Sequence, residues 1–501
     1  MDRLSCPAIL KNTPKKILIA NRGEIALRIL RTAKSMGYRV LSVYSDVDQF
    51  HPHVTLADES VCVGPAPSTE SYLRAQQIVD LAVKHQCWGV HPGYGFLSEN
   101  AAFAQALTEK GIVFIGPSPK TISDMGDKVS ARALAAQARV PMIPGTQQID
   151  DPKKAEQKAA EIGFPVLIKA KAGGGGKGMR VVHQASEFAS AFEMARSEAL
   201  KAFGDGGVYL EKYLLSPRHV EIQVFADHHG NVATFFDRDC SIQRRHQKII
   251  EEAPAPFLSD ATKEKMKEVS IQLCNTVDYR GAGTLEFLVD QQQQFYFLEM
   301  NTRLQVEHPV TEWVTGLDLV ELQIRAAENE VLSLESQCQG HSIEARIYAE
   351  DCKAQFAPSP GKITQLKWPS GPFVRVDSHI EKGSEISLFY DPMIAKISTW
   401  GPTRDKAIER MIQALHEFHI EGVMSNRDFL LKTFTTPAFA TQAPTTNFIE
   451  KEKLLDESGS HNAKDIALAF ATAALSQNHA QSSSKTDDKG PSLWWTSGID
   501  W

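Results

Sequence analysis

The sequence predicts an α/β fold, α+β overall, that opens with a doubly wound layer, and three observations carry that prediction. Short apolar runs alternate with helical-period segments over residues 14–127. A run of glycines, Gly173 to Gly176, stands between two strand patterns. Further on, two more strand patterns flank a short polar tip and carry acidic residues at matching positions.

Taken in order, Lys16-Ile17-Leu18-Ile19-Ala20 reads as a short buried strand. Glu24 to Met36 carries Ile25, Ile29, Leu30 and Ala33 at helical spacing, and Gly37 stops the run. Arg39 to Tyr44 is the next strand, and Gly89-Val90-His91 and Ile112 to Gly116 continue the βα alternation. A nicotinamide-type site needs GxGxxG after the first strand. The chain has Asn21-Arg22-Gly23-Glu24 there, which excludes it. A helix is expected from Asp127 to Arg139, ending before Pro141. Over 141–213 a small lid is expected, with strands Pro165 to Ala170 and Met179 to His183 around the glycine loop. Residues 214–330 read as mixed strand and helix. Residues 340–450 read as strand-rich and then helical (Arg404 to Phe418), a third lobe. The tail, 451–501, gives an Ala-rich helix (Ala463 to Ser476) and a polar linker (Gln481 to Pro491).

At 501 residues the chain is too long for one ordinary core, so two to four packed subdomains are expected. A net charge of −7 with scattered basic residues argues against a nucleic-acid partner. No run approaches the roughly 18 apolar residues of a membrane helix. Seven dispersed cysteines form no CxxC pair, which suits reduced thiols. The first residues lack the apolar core of a signal peptide, and Asp2 disfavours a transit peptide, so a cytoplasmic location is expected.

Four constellations carry chemistry. The glycine loop is not a Walker A motif, because Met179 stands where Lys would be. A glycine hairpin can instead lay backbone N–H groups over phosphates, with Lys169 as a cation beneath. The second is the strand pair Gly283 to Asp290 and Phe295 to Thr302. A symmetric hairpin places Glu286 opposite Glu299 and Thr284 opposite Asn301 on one face, with Leu285, Phe287, Leu298 and Met300 on the other. Opposed carboxylates repel, and a divalent cation between them, with Asn301 as a third oxygen ligand, removes the repulsion. An exposed acidic face is the alternative; the apolar opposite face disfavours it. The third is Arg238 to Lys248, which alone reads as a solvated basic run. In the fourth, Asn301 to Pro309, Arg303 offers a cation for a small anion and Glu307 a base beside it.

Ile19 to Ala26, His91-Pro92-Gly93-Tyr94-Gly95-Phe96-Leu97-Ser98-Glu99-Asn100, Met125 to Lys128, Arg244 to Lys248 and Glu299 to Arg303 resemble the biotin carboxylase component of biotin-dependent carboxylases over about residues 14–450. The resemblance implies an ATP-grasp fold: an N-terminal domain (14–127), an ATP-grasp domain (128–330, lid about 141–213), a C-terminal domain (340–450) and a tail. It implies that Lys128, Lys169, Gly175, Gly176, Glu211, Lys212, Leu214, His219 and His246 bind ATP with Glu286 and Glu299, and that Glu211 to Leu214 form the adenine hinge. Glu286, Glu299 and Asn301 would hold Mg²⁺ (or Mn²⁺). Lys248, Arg303 and the Val306 backbone would bind bicarbonate, Glu307 would be the general base, and Arg346 and Tyr94 would contact biotin. The implied partners are a biotin carboxyl carrier protein and a carboxyltransferase subunit, with a homodimer expected. The implied task is the first half-reaction of an acetyl-CoA or propionyl-CoA type carboxylase, as in fatty-acid biosynthesis; methylcrotonyl-CoA, geranyl-CoA or pyruvate are the alternative acceptors. Such carriers present biotin on a lysine between methionines; no Met-Lys-Met occurs here and the last methionine is Met424, so the carrier is expected in trans.

Overall fold

The computed structural model describes residues 14–170, 179–203, 206–245 and 247–455. Gly175, Gly176, His246 and the tail helix lie outside the described residues.

The opening layer forms as expected. β1 (Lys16–Ile19), β2 (Arg39–Ser45), β3 (Glu59–Gly64), β4 (Gly89–His91) and β5 (Val113–Phe114) make a parallel sheet in the order β3-β2-β1-β4-β5. Helix α1 (Gly23–Ser35) buries Ile25, Ile29 and Leu30 against it. Asn21, at the position that excluded a dinucleotide loop, donates from Nδ2 to the carbonyls of Pro92 (2.7 Å) and Tyr94 (2.8 Å). Gly93 between them has φ +64°, and a Cβ there would stand 2.8 Å from Asn21 Nδ2, so only glycine fits this close approach. The motif thus fixes the loop that carries Tyr94.

The helix Lys128–Gln137 starts at Asp127, whose side chain caps it. The lid follows as a three-stranded antiparallel sheet, β7 (Met179–Val182), β6 (Val166–Ala170) and β8 (Val208–Lys212), backed by the helix Ala185–Phe203.

Most of the remaining described strands share one eight-stranded antiparallel sheet, with three small two-stranded ribbons beside it. It runs β13 (Phe295–Asn301), β12 (Gly281–Val289), β9 (Arg218–Ala226), β10 (Val232–Arg244), β11 (Gln247–Ala253), β14 (His341–Tyr348), then Met393–Gly401 and Val374–Ser378. The expected third lobe is therefore stitched to the preceding domain through the β11–β14 ladder. One face of β9 buries Val220, Ile222 and Val224, while His219, Glu221 and Gln223 turn to the other.

The hairpin register holds where it matters: Glu286 faces Glu299, Leu285 faces Met300 and Thr284 faces Asn301. Towards the tip it departs from the symmetric expectation, because Phe287 pairs with Phe297 and leaves Leu298 as an extra residue in a β-bulge. Leu298 is 42% exposed, against the expectation that it shares the apolar face. Phe297 takes that place, packed edge-on to Phe287. Among the described residues no helix is long and apolar enough to cross a membrane.

Candidate active site

The sheet register builds the site. Glu299, Glu286, Glu221 and Arg238 occupy one level across β13, β12, β9 and β10. Such a row of carboxylates is tolerable only with cations among them. Lys248, from β11, supplies one: its Nζ donates to Glu221 Oε2 (2.6 Å), Glu286 Oε1 (2.8 Å) and Glu307 Oε1 (2.7 Å). Burial alone would favour the neutral amine, but the three carboxylates win and hold the ammonium well above its usual range. Arg238, fully buried, donates to Glu221, Gln223 (2.6 Å) and Thr311 (2.9 Å). Arg238 and Lys248 thus stand on the buried cationic side of the site, while Arg245 between them is exposed.

Glu307 lies just before the helix His308–Thr315 and is 2% exposed. Its other oxygen accepts from Arg346 of β14 at 2.9 Å. Burial pushes its carboxyl up, yet Lys248, Arg346 and Arg238 together hold it far below the usual carboxylate range. Arg346 Nε also lies 2.6 Å from Glu251, which burial pushes up to about 7. Arg303, the expected cation for a small anion, is held by other partners than Glu307. Its Nε donates to Glu99 (2.9 Å) and its Nη2 to Asn301 Oδ1 (3.0 Å). Glu99 also accepts from the Thr302 N–H at 3.0 Å, so the 91–100 motif anchors the segment after β13 to the first layer.

Glu286 is buried and accepts at Oε1 from Asn301 Nδ2 (2.9 Å) and Gln305 Nε2 (2.8 Å) besides Lys248. His219 Nε2 lies 2.9 Å from its other oxygen, while Nδ1 faces Gln243 Nε2 at 2.9 Å, which puts the ring proton on Nε2. Lys248 and His219 draw the Glu286 carboxyl well below its usual value despite burial. Glu299 opens towards solvent, and partial burial with the charge of Glu286 raises its carboxyl. That opposed pair fits a divalent cation, which would relieve the repulsion. The donor set is carboxylate and amide oxygen, with the Asn301 amide required to turn its oxygen inward.

The nucleotide-side residues divide. Lys169 and Arg132 (3.5 Å) both engage Glu211, which is buried at the lid base. Lys212 turns its ammonium onto the carbonyls of Gly163 (2.7 Å) and Phe164 (3.0 Å), and Leu214 is half-buried. Lys128 is exposed at the helix start. Tyr94 donates to Glu24 of α1. Sequence reasoning missed Glu221, Arg238, Glu251, Gln305 and Glu24. Only β9 carried a readable signal, the strict alternation of His219, Glu221 and Gln223 with Val220, Ile222 and Val224.

A small β lid over an antiparallel sheet whose inner face lines up carboxylates around a buried lysine defines an ATP-grasp ligase. The families described as "Biotin carboxylase, N-terminal domain", "Carbamoyl-phosphate synthase L chain, ATP binding domain" and "Biotin carboxylase C-terminal domain" match residues 13–122, 127–335 and 344–451. The biotin carboxylase of Nostoc sp. is 48% identical over 440 residues, covering 87% of this chain and 98% of that protein. Methylcrotonoyl-CoA carboxylase subunit alpha of Dictyostelium discoideum is 47% identical over 489 residues, covering 96% of this chain and 69% of that longer protein; the chain spans 61% of the mouse protein of the same name. Among solved structures, the biotin carboxylase domain dimer of Hydrogenobacter thermophilus 2-oxoglutarate carboxylase, in complex with MgADP, ADP and bicarbonate, matches with a TM-score of 0.80 at 43% identity, covering 89% of this chain and 99% of that one. The chain belongs to the biotin carboxylase family, ATP-dependent ligases.

Proposed function

We propose that this chain carboxylates biotin on a carrier protein, using ATP and bicarbonate, as the first half-reaction of an acyl-CoA carboxylase. The observation that carries the reading is the triple contact of Lys248 with Glu221, Glu286 and Glu307, beside Arg346. An entering bicarbonate competes for Lys248 and takes donors from Arg303 and the Val306 N–H. Glu307 then loses part of the positive field that depresses it and gains basicity. It removes the bicarbonate proton as a bicarbonate oxygen bonds to the γ-phosphorus of ATP and the bond to the β-phosphate oxygen breaks, giving carboxyphosphate and ADP. Glu286, Glu299 and Asn301 would hold Mg²⁺ (or Mn²⁺), which supplies charge compensation for the nucleotide phosphates when bound. Lys169 and Lys248 offset the remaining negative charge. Carboxyphosphate splits to CO₂ and phosphate, the phosphate takes the biotin N1′ proton, and Arg346 holds the ureido oxygen, with Tyr94 beside it, while the nitrogen attacks CO₂.

Bicarbonate-dependent ADP release stimulated by free biotin tests this reading; ATP turnover indifferent to both would refute it. The proposed acceptor, reached through a carboxyltransferase subunit, is acetyl-CoA or propionyl-CoA. Methylcrotonyl-CoA is the second reading, favoured by the names of the Dictyostelium and mouse relatives. Identifying the subunit that co-purifies with the native chain decides between them. A homodimer is supported by the Hydrogenobacter neighbour, described as a dimer. A cytoplasmic location is supported by free cysteines throughout the described residues; the two methylcrotonoyl-CoA relatives are named as mitochondrial, so fractionation is the test.

A further inference from the structure

Lys396 stands on the strand Met393–Gly401 and is wholly buried. A buried ammonium is kept only for partners that repay its desolvation. Its Nζ donates to the Val306 carbonyl at 2.7 Å and lies 3.3 Å from Glu24 Oε1, the same oxygen that accepts from Tyr94. The charges of Glu344 and Asp377 also face it, and with Glu24 they keep it protonated against burial. In the sheet register Lys396 pairs directly with Arg346. These two cross-strand neighbours therefore hold consecutive parts of one segment. Arg346 takes the Glu307 carboxylate, and Lys396 takes the carbonyl of the peptide that joins Val306 to Glu307. That carbonyl precedes the helix His308–Thr315 and stands outside its hydrogen-bond ladder, so the lysine is what orients it.

We propose that Lys396 is a positioning residue for the anion site, fixing the Val306–Glu307 peptide and tying it through Glu24 to Tyr94. The proposal rests on the reading of Arg303, Val306 and Glu307 as the bicarbonate site. It gives the described fold a physical connection between the biotin-side tyrosine and the base: Tyr94, Glu24, Lys396, Val306, Glu307. Lys396 touches no reacting atom; its effect is on where Glu307 and the Val306 backbone sit, and a displacement of this kind costs affinity and rate together at the anion only.

The test is steady-state kinetics of bicarbonate-dependent ATP cleavage by the full chain, with Lys396→Met, which keeps the volume and removes the charge. The expected result is a bicarbonate KM raised at least tenfold with the ATP KM within twofold of the unaltered chain. A bicarbonate KM that stays put, or one that rises in step with the ATP KM, would overturn the proposal. Should Lys396→Met fail to fold by circular dichroism, Glu24→Gln keeps the lysine and weakens its anchor. There the bicarbonate KM should rise about threefold or more at constant ATP KM, and no change would overturn the proposal equally. If the unaltered chain shows no bicarbonate dependence at all, the reading of the site itself fails and takes this proposal with it.

Discussion

Lys248 has three N–H donors and three carboxylates on them, so any anion that enters must displace one. That competition makes the carboxylates unequal in what their loss does. Glu286→Gln removes a buried charge that Lys248 and His219 both use, and Glu299→Gln removes only the outer member of the opposed pair. Both variants should cut ATP turnover more than tenfold at limiting Mg²⁺ while the circular dichroism spectrum is kept, and excess Mg²⁺ should rescue Glu299→Gln more fully. Arg346→Ala should lower biotin carboxylation more than a hundredfold. Bicarbonate-dependent ATP cleavage should fall too, by about tenfold, because Arg346 also holds Glu307. Equal losses in the two assays would place its action wholly before biotin. Of these residues, Glu286, Glu299 and Asn301 were legible from pairing arithmetic on a short hairpin, since both strands and their tip are contiguous. Glu251 and Glu24 were not, because their partners come from strands and helices far away in sequence, and only the folded register brings them together.

At the level of single elements, the bulge at Leu298 is what lets the hairpin serve two masters. It keeps Phe297 under Phe287 near the tip while leaving Glu299 opposite Glu286 at the site end. The symmetric reading of the sequence placed the site end correctly and the tip wrongly, because a bulge changes the count by one without any change in residue type. Leu298→Ser should alter stability by no more than about 0.5 kcal/mol, since the side chain is exposed. Deleting Leu298 should instead force a choice between core and site, turning Glu299 and Asn301 to the other face or expelling Phe297; thermal melting and ATP turnover together would report which. Phe287→Ala, which empties a fully buried ring position, should cost about 3–5 kcal/mol in urea unfolding.

Across the whole molecule, the shared sheet carries Glu286, Glu299, Lys248 and Arg346 on one continuous surface beside Glu307, and it runs across the domain limits expected from sequence at 330–340. Composition and periodicity place lobes but carry no trace of which strands will be neighbours. The seam has its own electrostatic lock: Glu252 of β11 accepts from Arg404 Nε (2.7 Å) and faces His341 at 2.9 Å. Burial raises its carboxyl, but those two partners lower it further, to about 2 from an ordinary 4.5. The folded value being depressed, the stabilisation is fully present above pH 4.5 and is lost as pH falls towards 2. Glu252→Gln should therefore cost on the order of 2–3 kcal/mol at pH 7, and the difference should shrink in acid melts below about pH 4. The seam also decides what happens when the chain is divided. Removing residues beyond 340 leaves the rim of β11 without its ladder to β14, with Ile249 and Ile250 losing their cover. β11 carries Ile249, Ile250 and Ala253 among Lys248, Glu251 and Glu252, and an edge strand left uncapped offers its free N–H and C=O groups to another copy of itself. A fragment ending before β14 should accordingly leave solution as β-rich assemblies on refolding, so that the last lobe acts as the chaperone of the first two.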